Sequence, residues 1–277
     1  MQNVNIFVAA HKPGWPSLPP GYTVLQVGAA LHDHLPQAGA FDDVGENISR
    51  KNRNWCELTA LWWIAHHAED AILGLVHYRR LFSFAPCRNP FLEQYHMTPD
   101  DPSLAAMLRT DNVPALLEGC DILLPHAQYF KETIAGQYRA EHRASDLAAT
   151  IAAFERLHPS EHAILQRSLQ GYREYGYNMM IARRDLFRAY ADWLFAILED
   201  VEVQITISED PYQARVFGFL SERLMNVFVE THHLRVRTLP LIFLEDHPSS
   251  SWQRKSGHTV LADFGVLPWM PKDAKNK

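Results

Sequence analysis

The chain has 277 residues, 47% of them hydrophobic and 21% charged, which is the balance of a folded globular protein and not of a disordered chain. Its formal net charge of -6 and pI near 6.2 exclude a general attraction to nucleic acid, so any anion must be held by a local basic cluster. Three cysteines, Cys56, Cys87 and Cys120, without Cys-x-x-Cys spacing, argue against a disulfide framework or zinc ribbon and fit a reducing cytoplasm.

Asn5 to Ala10 predicts a buried first strand, entered without a basic leader and stopped by His11-Lys12-Pro13-Gly14. No run approaches the roughly 18 apolar residues of a membrane span. The expected location is therefore cytoplasmic, with any membrane contact peripheral at the inner face. A second strand is expected over Tyr22 to Gly28, then a polar, turn-rich segment from Leu31 to Lys51. Asn54 is the expected N-cap of a helix from Trp55 to His67 that is apolar on nearly every face.

Ala71 to Val76 is a buried strand that delivers His77, Tyr78, Arg79 and Arg80 together. Ligands of open α/β sheets bind beyond the carboxyl ends of strands, so these residues are site candidates. Two adjacent guanidinium groups point to an anionic substrate such as a phosphate.

Residues 85 to 115 predict a loop with small helices, and Cys120 to Pro125 a short strand. Residues 128 to 170 predict two or three helices, and Met179 to Ala182 another strand. Helices follow over Asp185 to Leu198 and Pro211 to Thr231, the second started by Ser208 or Asp210. Arg235 to Leu244 is the last expected strand, before a tail from Pro248. Strands alternating with helices in this order predict an α/β fold with a mixed central sheet.

Several motifs together resemble a family of GT-A-type proteins from bacterial capsule and exopolysaccharide gene clusters, long described only as a domain of unknown function. They are His11-Lys12-Pro13, Gln26-Val27-Gly28-Ala29, Asn47-Ile48-Ser49, Cys56 to Leu61, His77-Tyr78-Arg79-Arg80, Gly176-Tyr177-Asn178-Met179 and Gly218 to Leu224. The resemblance spans residues 5 to 245. It implies a GT-A-like single domain over residues 1 to 247, flanked by helices, with a helical excursion at 128 to 170 and a tail at 248 to 277. It also implies a nucleotide-sugar donor such as UDP-galactofuranose, and a glycan or lipid-linked oligosaccharide acceptor in surface polysaccharide synthesis.

One departure stands out. The place of the family's Asp-x-Asp motif is taken by His77-Tyr78-Arg79, and arginines do not supply the oxygen ligands that Mg²⁺ or Mn²⁺ prefers. The expectation is a metal-independent site; the alternative is a cation held from elsewhere.

Glycosyl transfer requires a held diphosphate, a deprotonated acceptor hydroxyl if configuration inverts, and exclusion of water. The donor candidates are His11, Lys12, Lys51, Asn52, His77, Arg79 and Arg80. Gln26 and Asn47 join them through the resemblance. Glu57 shares a helical face with Leu61 and Ile64, so it either orients an arginine or forms a core ion pair.

For the base, Glu222 lies among Phe219, Leu220 and Leu224 beside Arg223, so it is either a carboxylate suited to proton transfer or the partner of an arginine; its place in the Ser221-Glu222-Arg223-Leu224 motif of the resemblance makes it the first candidate. Glu209 and Asp210 come second, with ordinary helix capping as the competing reading. Tyr177 and Asn178 are expected to meet the acceptor, since an aromatic face and an amide suit a sugar. A scaffold protein that kept the fold but lost catalysis is the competing function. A phosphoesterase is third, lacking the dense carboxylate and histidine set of two-metal hydrolysis.

Overall fold

Apolar runs without polar alternation form strands buried on both faces, and that pattern sets the architecture here. The computed structural model describes residues 3–85, 92–246 and 252–254. In chain order, β1 (Val4–Ala10), β2 (Tyr22–Gln26) and β3 (Ala40–Phe41) precede α1 (Asn52–Trp55) and α2 (Leu58–His67). Next come β4 (Ile72–His77), β5 (Arg80–Phe82), β6 (Leu92–Met97), the short α3 (Leu104–Met107) and α4 (Val113–Leu116), then β7 (Ile122–Pro125) and β8 (Gln128–Tyr129). The helices α5 (Ile134–Glu141), α6 (Ala144–Leu157) and α7 (His162–Leu169) lead to β9 (Arg173–Glu174) and β10 (Met180–Arg183). The chain continues through α8 (Arg184–Glu202), α9 (Val216–Thr231), β11 (Val236–Leu239), β12 (Leu241–Leu244) and β13 (Trp252–Arg254).

The order across the main sheet is β3, β2, β1, β4, β10, β7, β11. The first four strands are parallel, β10 runs against both its neighbours, and β11 is parallel to β7. A tight turn at the end of β4 starts β5, which carries a second wing of β12, β6 and β13. Successive strand residues point to opposite faces. Phe7, Leu73, Leu75, Ile122 and Met180 therefore join one core with α2, α8 and α9, while Ile6, Val8, Ile72, Val76 and Ile181 join the other.

Gly74 sits where this packing is tightest, since a Cβ there would lie 2.9 Å from Ile181 and 3.1 Å from Ile6. A parallel sheet covered on both faces leaves its carboxyl edge as the open side. The ends of β1 and β4 meet there, with Ala9 opposite His77.

Several boundaries differ from the sequence expectation for physical reasons. The expected helix 55–67 is broken: Cys56 has φ 51° and ψ -132°, a region that L residues rarely occupy. Asn52 stabilises the break, its Nδ2 donating to the Cys56 carbonyl at 2.7 Å and to Thr59 Oγ1 at 2.9 Å. Asn54 is not an N-cap. It lies inside α1 and donates to the Ala214 carbonyl at 2.9 Å.

The expected strand 235–244 is two strands, β11 pairing with β7 and β12 with β5 and β6. Pro240, which has no N–H to give a ladder, divides them, and its carbonyl accepts from Ser83 N. The final long helix begins at Val216 and not at Pro211, after a 3-10 turn at Gln213–Arg215. Within the expected loop region 85–115, β6 forms an unforeseen strand. The expected excursion at 128 to 170 holds α5, α6 and α7, and is closed by the small β8–β9 pair. Cys56 and Cys120 are free thiols; Cys87 and the tail 248 to 277, apart from β13, lie outside the described residues.

Candidate active site

Two cavities open side by side at the carboxyl edge of the sheet. The first, about 530 Å³, is lined by His11 after β1, His77, Tyr78, Arg79 and Arg80 across the β4–β5 turn, Asn52, Arg53, Cys56 and Glu57 at the helix break, and Pro211 and Arg215 before α9. Among the described residues of its lining, four arginines thus face one carboxylate, Glu57. The second, about 390 Å³, is lined by the aromatic rings of Phe130, Tyr177, Tyr212 and Phe219, the amides of Gln128 and Gln137, and the carboxylates Glu141, Glu174 and Glu222, with His142 and Arg223. Glu57, His77, Arg80 and Arg215 line both.

Burial and neighbouring charge set the state of these groups. His77 is held below its ordinary pKa, chiefly by burial. Its neutral ring donates Nε2–H to the Tyr177 carbonyl at 2.6 Å, which fixes its orientation. His11 is also held low, first by burial and then by Lys12 and Arg215, and its ring meets Tyr78 edge-on at 5.2 Å. Arg80 lies over the rings of Tyr177 at 5.0 Å and Phe243 at 5.8 Å, contacts that orient a guanidinium while leaving its N–H groups free for an anion. Arg215 donates Nε–H to Cys56 Sγ at 3.4 Å, and burial pushes that thiol up to about 12.

The second cavity has a charged floor. Arg223 donates to Glu174 Oε1 at 2.7 Å and to Gln137 Oε1 at 2.5 Å, with Glu222 Oε2 at 3.5 Å. Burial raises the pKa of Glu222 despite Arg223, helped by the charge of Glu57. Tyr177 and Asn178 form the turn above this floor, with φ of 72° and 50°. Two consecutive non-glycine residues in that region mark stored strain, which persists where surrounding contacts hold it. Here Tyr177 N donates to Glu222 Oε1 at 2.8 Å, and Asn178 Nδ2 donates to Glu57 Oε1 at 2.6 Å and to the Gly218 carbonyl at 3.0 Å.

The structure thus gathers His11, Asn52, Glu57, His77, Arg79 and Arg80 at the first cavity, and Tyr177 and Glu222 at the second. Arg79 also reaches out to Asp246 at 3.2 Å. Lys12 stands exposed beside His11. Other candidates are placed elsewhere. Gln26 is buried and holds the following loop, through Asp33 O at 2.9 Å and Leu35 N at 2.6 Å. Asn47 ties its own loop through Asp43 O and Gly45 O. Lys51 pairs with Glu202 at 2.6 Å, and both Asn47 and Lys51 line a separate hollow.

Glu57 binds Asn178, not an arginine, which neither sequence reading anticipated. Asn178 itself is buried beneath the cavities and absent from both linings. Asp210 caps its turn through Tyr212 N and Gln213 N, and neither it nor Glu209 lines either of these two cavities.

Arg215 was missed by sequence reasoning. The available signal was an arginine immediately before an apolar helix, where the helix dipole favours an acid instead. Among the described residues, no group of three or more His, Cys, Asp or Glu is arranged to hold a metal ion, and no helix is long and apolar enough to cross a membrane.

The mixed sheet, its helical layers and the cleft at its carboxyl edge define a GT-A-like α/β protein. The chain belongs to the family described as Domain of unknown function (DUF4422), whose model matches residues 5–233. It is similar to the solved apo structure of the WbbM bifunctional glycosyltransferase, with a TM-score of 0.79 and 28% identity. That match covers 88% of this chain and 46% of the other, so the chain spans less than half the length of its solved relative. No curated protein matches it.

Proposed function

We propose that the protein is a glycosyltransferase that moves a sugar from a nucleotide-sugar donor to a glycan or lipid-linked oligosaccharide. The observation that carries this reading is the pair of joined cavities, one lined by arginines and the other by aromatic rings, amides and carboxylates. The first suits a diphosphate, because fixed guanidinium groups stabilise charge that grows on the leaving phosphate in the transition state. The second suits a sugar, which offers an apolar face to a ring and hydroxyls to amides and carboxylates.

Arg79, Arg80 and Arg215 take the part that a carboxylate-held cation plays in other sites of this fold, so neither Mg²⁺ nor Mn²⁺ is required. His11 and His77, both neutral, add hydrogen bonds without competing charge. UDP-galactofuranose is the donor assigned first, from the family resemblance, with the product destined for bacterial surface polysaccharide. The reaction takes place on the cytoplasmic side, with peripheral contact to the inner membrane where the acceptor is lipid-linked.

The test is a panel of UDP-sugars that includes UDP-galactofuranose, offered with simple glycoside acceptors, with and without EDTA, reading nucleoside diphosphate release. Turnover that survives EDTA is expected. Failure to bind any nucleoside diphosphate by calorimetry would overturn the reading and favour a non-catalytic scaffold.

A further inference from the structure

Two carboxylates compete to take the acceptor proton, and their surroundings differ. Glu222 lines the second cavity alone; Tyr177 N occupies its Oε1 and Arg223 approaches its Oε2. Glu57 lies on the wall common to both cavities, and among the described residues no other carboxylate does. Bond formation joins a donor carbon on one side to an acceptor oxygen on the other, so the proton has to leave at that common wall.

Glu57 is also held as a base should be. Its Oε1 accepts from Asn178 Nδ2 at 2.6 Å, and Asn178 is fixed in turn by Ser221 Oγ, which donates to its Oδ1 at 2.8 Å. Ser221 is fully buried and Asn178 nearly so. Glu57 Oε2 has no hydrogen-bond partner among the described residues. The strained turn at Tyr177–Asn178 is what aims the amide, since an ordinary backbone there would swing it away. A base oriented by a second group that is itself oriented is the arrangement general-base chemistry requires.

We propose that Glu57 is the catalytic base of the transfer, with Asn178 as its positioning residue, an assignment that rests on the glycosyltransferase reading above. In the step, Glu57 Oε2 takes the proton of the acceptor hydroxyl as its oxygen forms a bond to the anomeric carbon. The bond from that carbon to the β-phosphate oxygen breaks, and its electron pair leaves with the nucleoside diphosphate among Arg79, Arg80 and Arg215. Configuration at the anomeric carbon inverts. The charged and titratable groups around Glu57 are Cys56 on its own break, His77 and Arg80 from the sheet edge, Arg215 before α9, and Glu222 on α9.

The experiment uses the full chain as wild type, Glu57→Gln, Glu57→Ala, Glu222→Gln and Asn178→Gly. Glycine keeps the positive φ without strain while removing the amide. UDP binding is read by calorimetry, and turnover with the donor of the panel that the wild type uses. Glu57→Gln should lower kcat by at least ~100-fold with UDP affinity kept, abolish the acid limb of the kcat/KM profile, and leave Glu222→Gln with that limb. Asn178→Gly should move the limb upward, because a carboxylate that loses a donor holds its proton more tightly. Added formate should restore turnover to Glu57→Ala.

Retention of wild-type kcat by Glu57→Gln would overturn the assignment while leaving the glycosyltransferase reading intact, as would loss of the acid limb in Glu222→Gln alone. Failure of the wild type to bind any nucleoside diphosphate would remove that reading and the assignment with it.

Discussion

Arg223→Met probes the charged floor of the second cavity. Arg223 is 4% exposed and Glu174 1%, and the substitution removes the guanidinium bonds to Glu174 and Gln137. Leaving one partner of a buried pair without the other costs roughly 3–5 kcal/mol when the survivor stays charged. Glu174 need not stay charged. Burial already pushes its pKa from the ordinary 4.5 up to about 7 with Arg223 in place, and without the guanidinium it rises further.

A carboxyl whose folded pKa is raised binds a proton that the unfolded chain has released, so stability falls as pH climbs through the window between the two values. The slope is about 1.4 kcal/mol per pH unit for one proton. In the wild type that window closes near pH 7. In Arg223→Met it stays open above that value. The deficit of the variant should therefore be nearly constant from about pH 5 to about pH 7 and grow above it, approaching ~3–5 kcal/mol. Urea unfolding of both proteins across this range measures it. A deficit that does not grow above neutrality would refute the account of Glu174 as a buried carboxyl held by Arg223.

Three further outcomes follow from the geometry. Arg80→Ala and Arg215→Ala should each lower turnover by about 100-fold or more with unfolding midpoints close to wild type, as read by steady-state kinetics and thermal melts. Gly74→Ala should destabilise the protein by roughly 1–3 kcal/mol through overpacking, because its Cβ would meet Ile181 and Ile6 inside the usual contact distance; urea titration reads the difference. Asp42→Ala should cost about 2–4 kcal/mol in the same assay, since this buried carboxylate accepts from Gly28 N, Ala29 N and Ser49 Oγ. It should also weaken UDP binding, because Gly28 packs against Asn52 in the wall of the first cavity.

The amino-acid sequence by itself marked β1, β4, β7 and β10, because each is a short, mostly apolar run bounded by polar or turn residues, the pattern of a strand buried on both faces. It also carried Arg79 and Arg80 to the lining of the first cavity, since polar residues directly after a buried strand lie at the open edge of the sheet. Asn47 and Gln26 bond within their own loops, to Asp43 and Leu35, whereas the partner of Lys51, Glu202, comes from α8 and is set only by the tertiary fold.

The break at Cys56 left no mark in the sequence, for neither glycine nor proline stands there. It forms because Asn52 offers the backbone a competing set of bonds and α9 fills the space beside it. That break turns Glu57 toward both cavities, and the turn at Asn178, more than a hundred residues away in the chain, grips it there. Residue type made Glu57 a carboxylate in an apolar stretch. Its place between the two cavities comes only from long-range contacts, whose energy exists once the chain is folded.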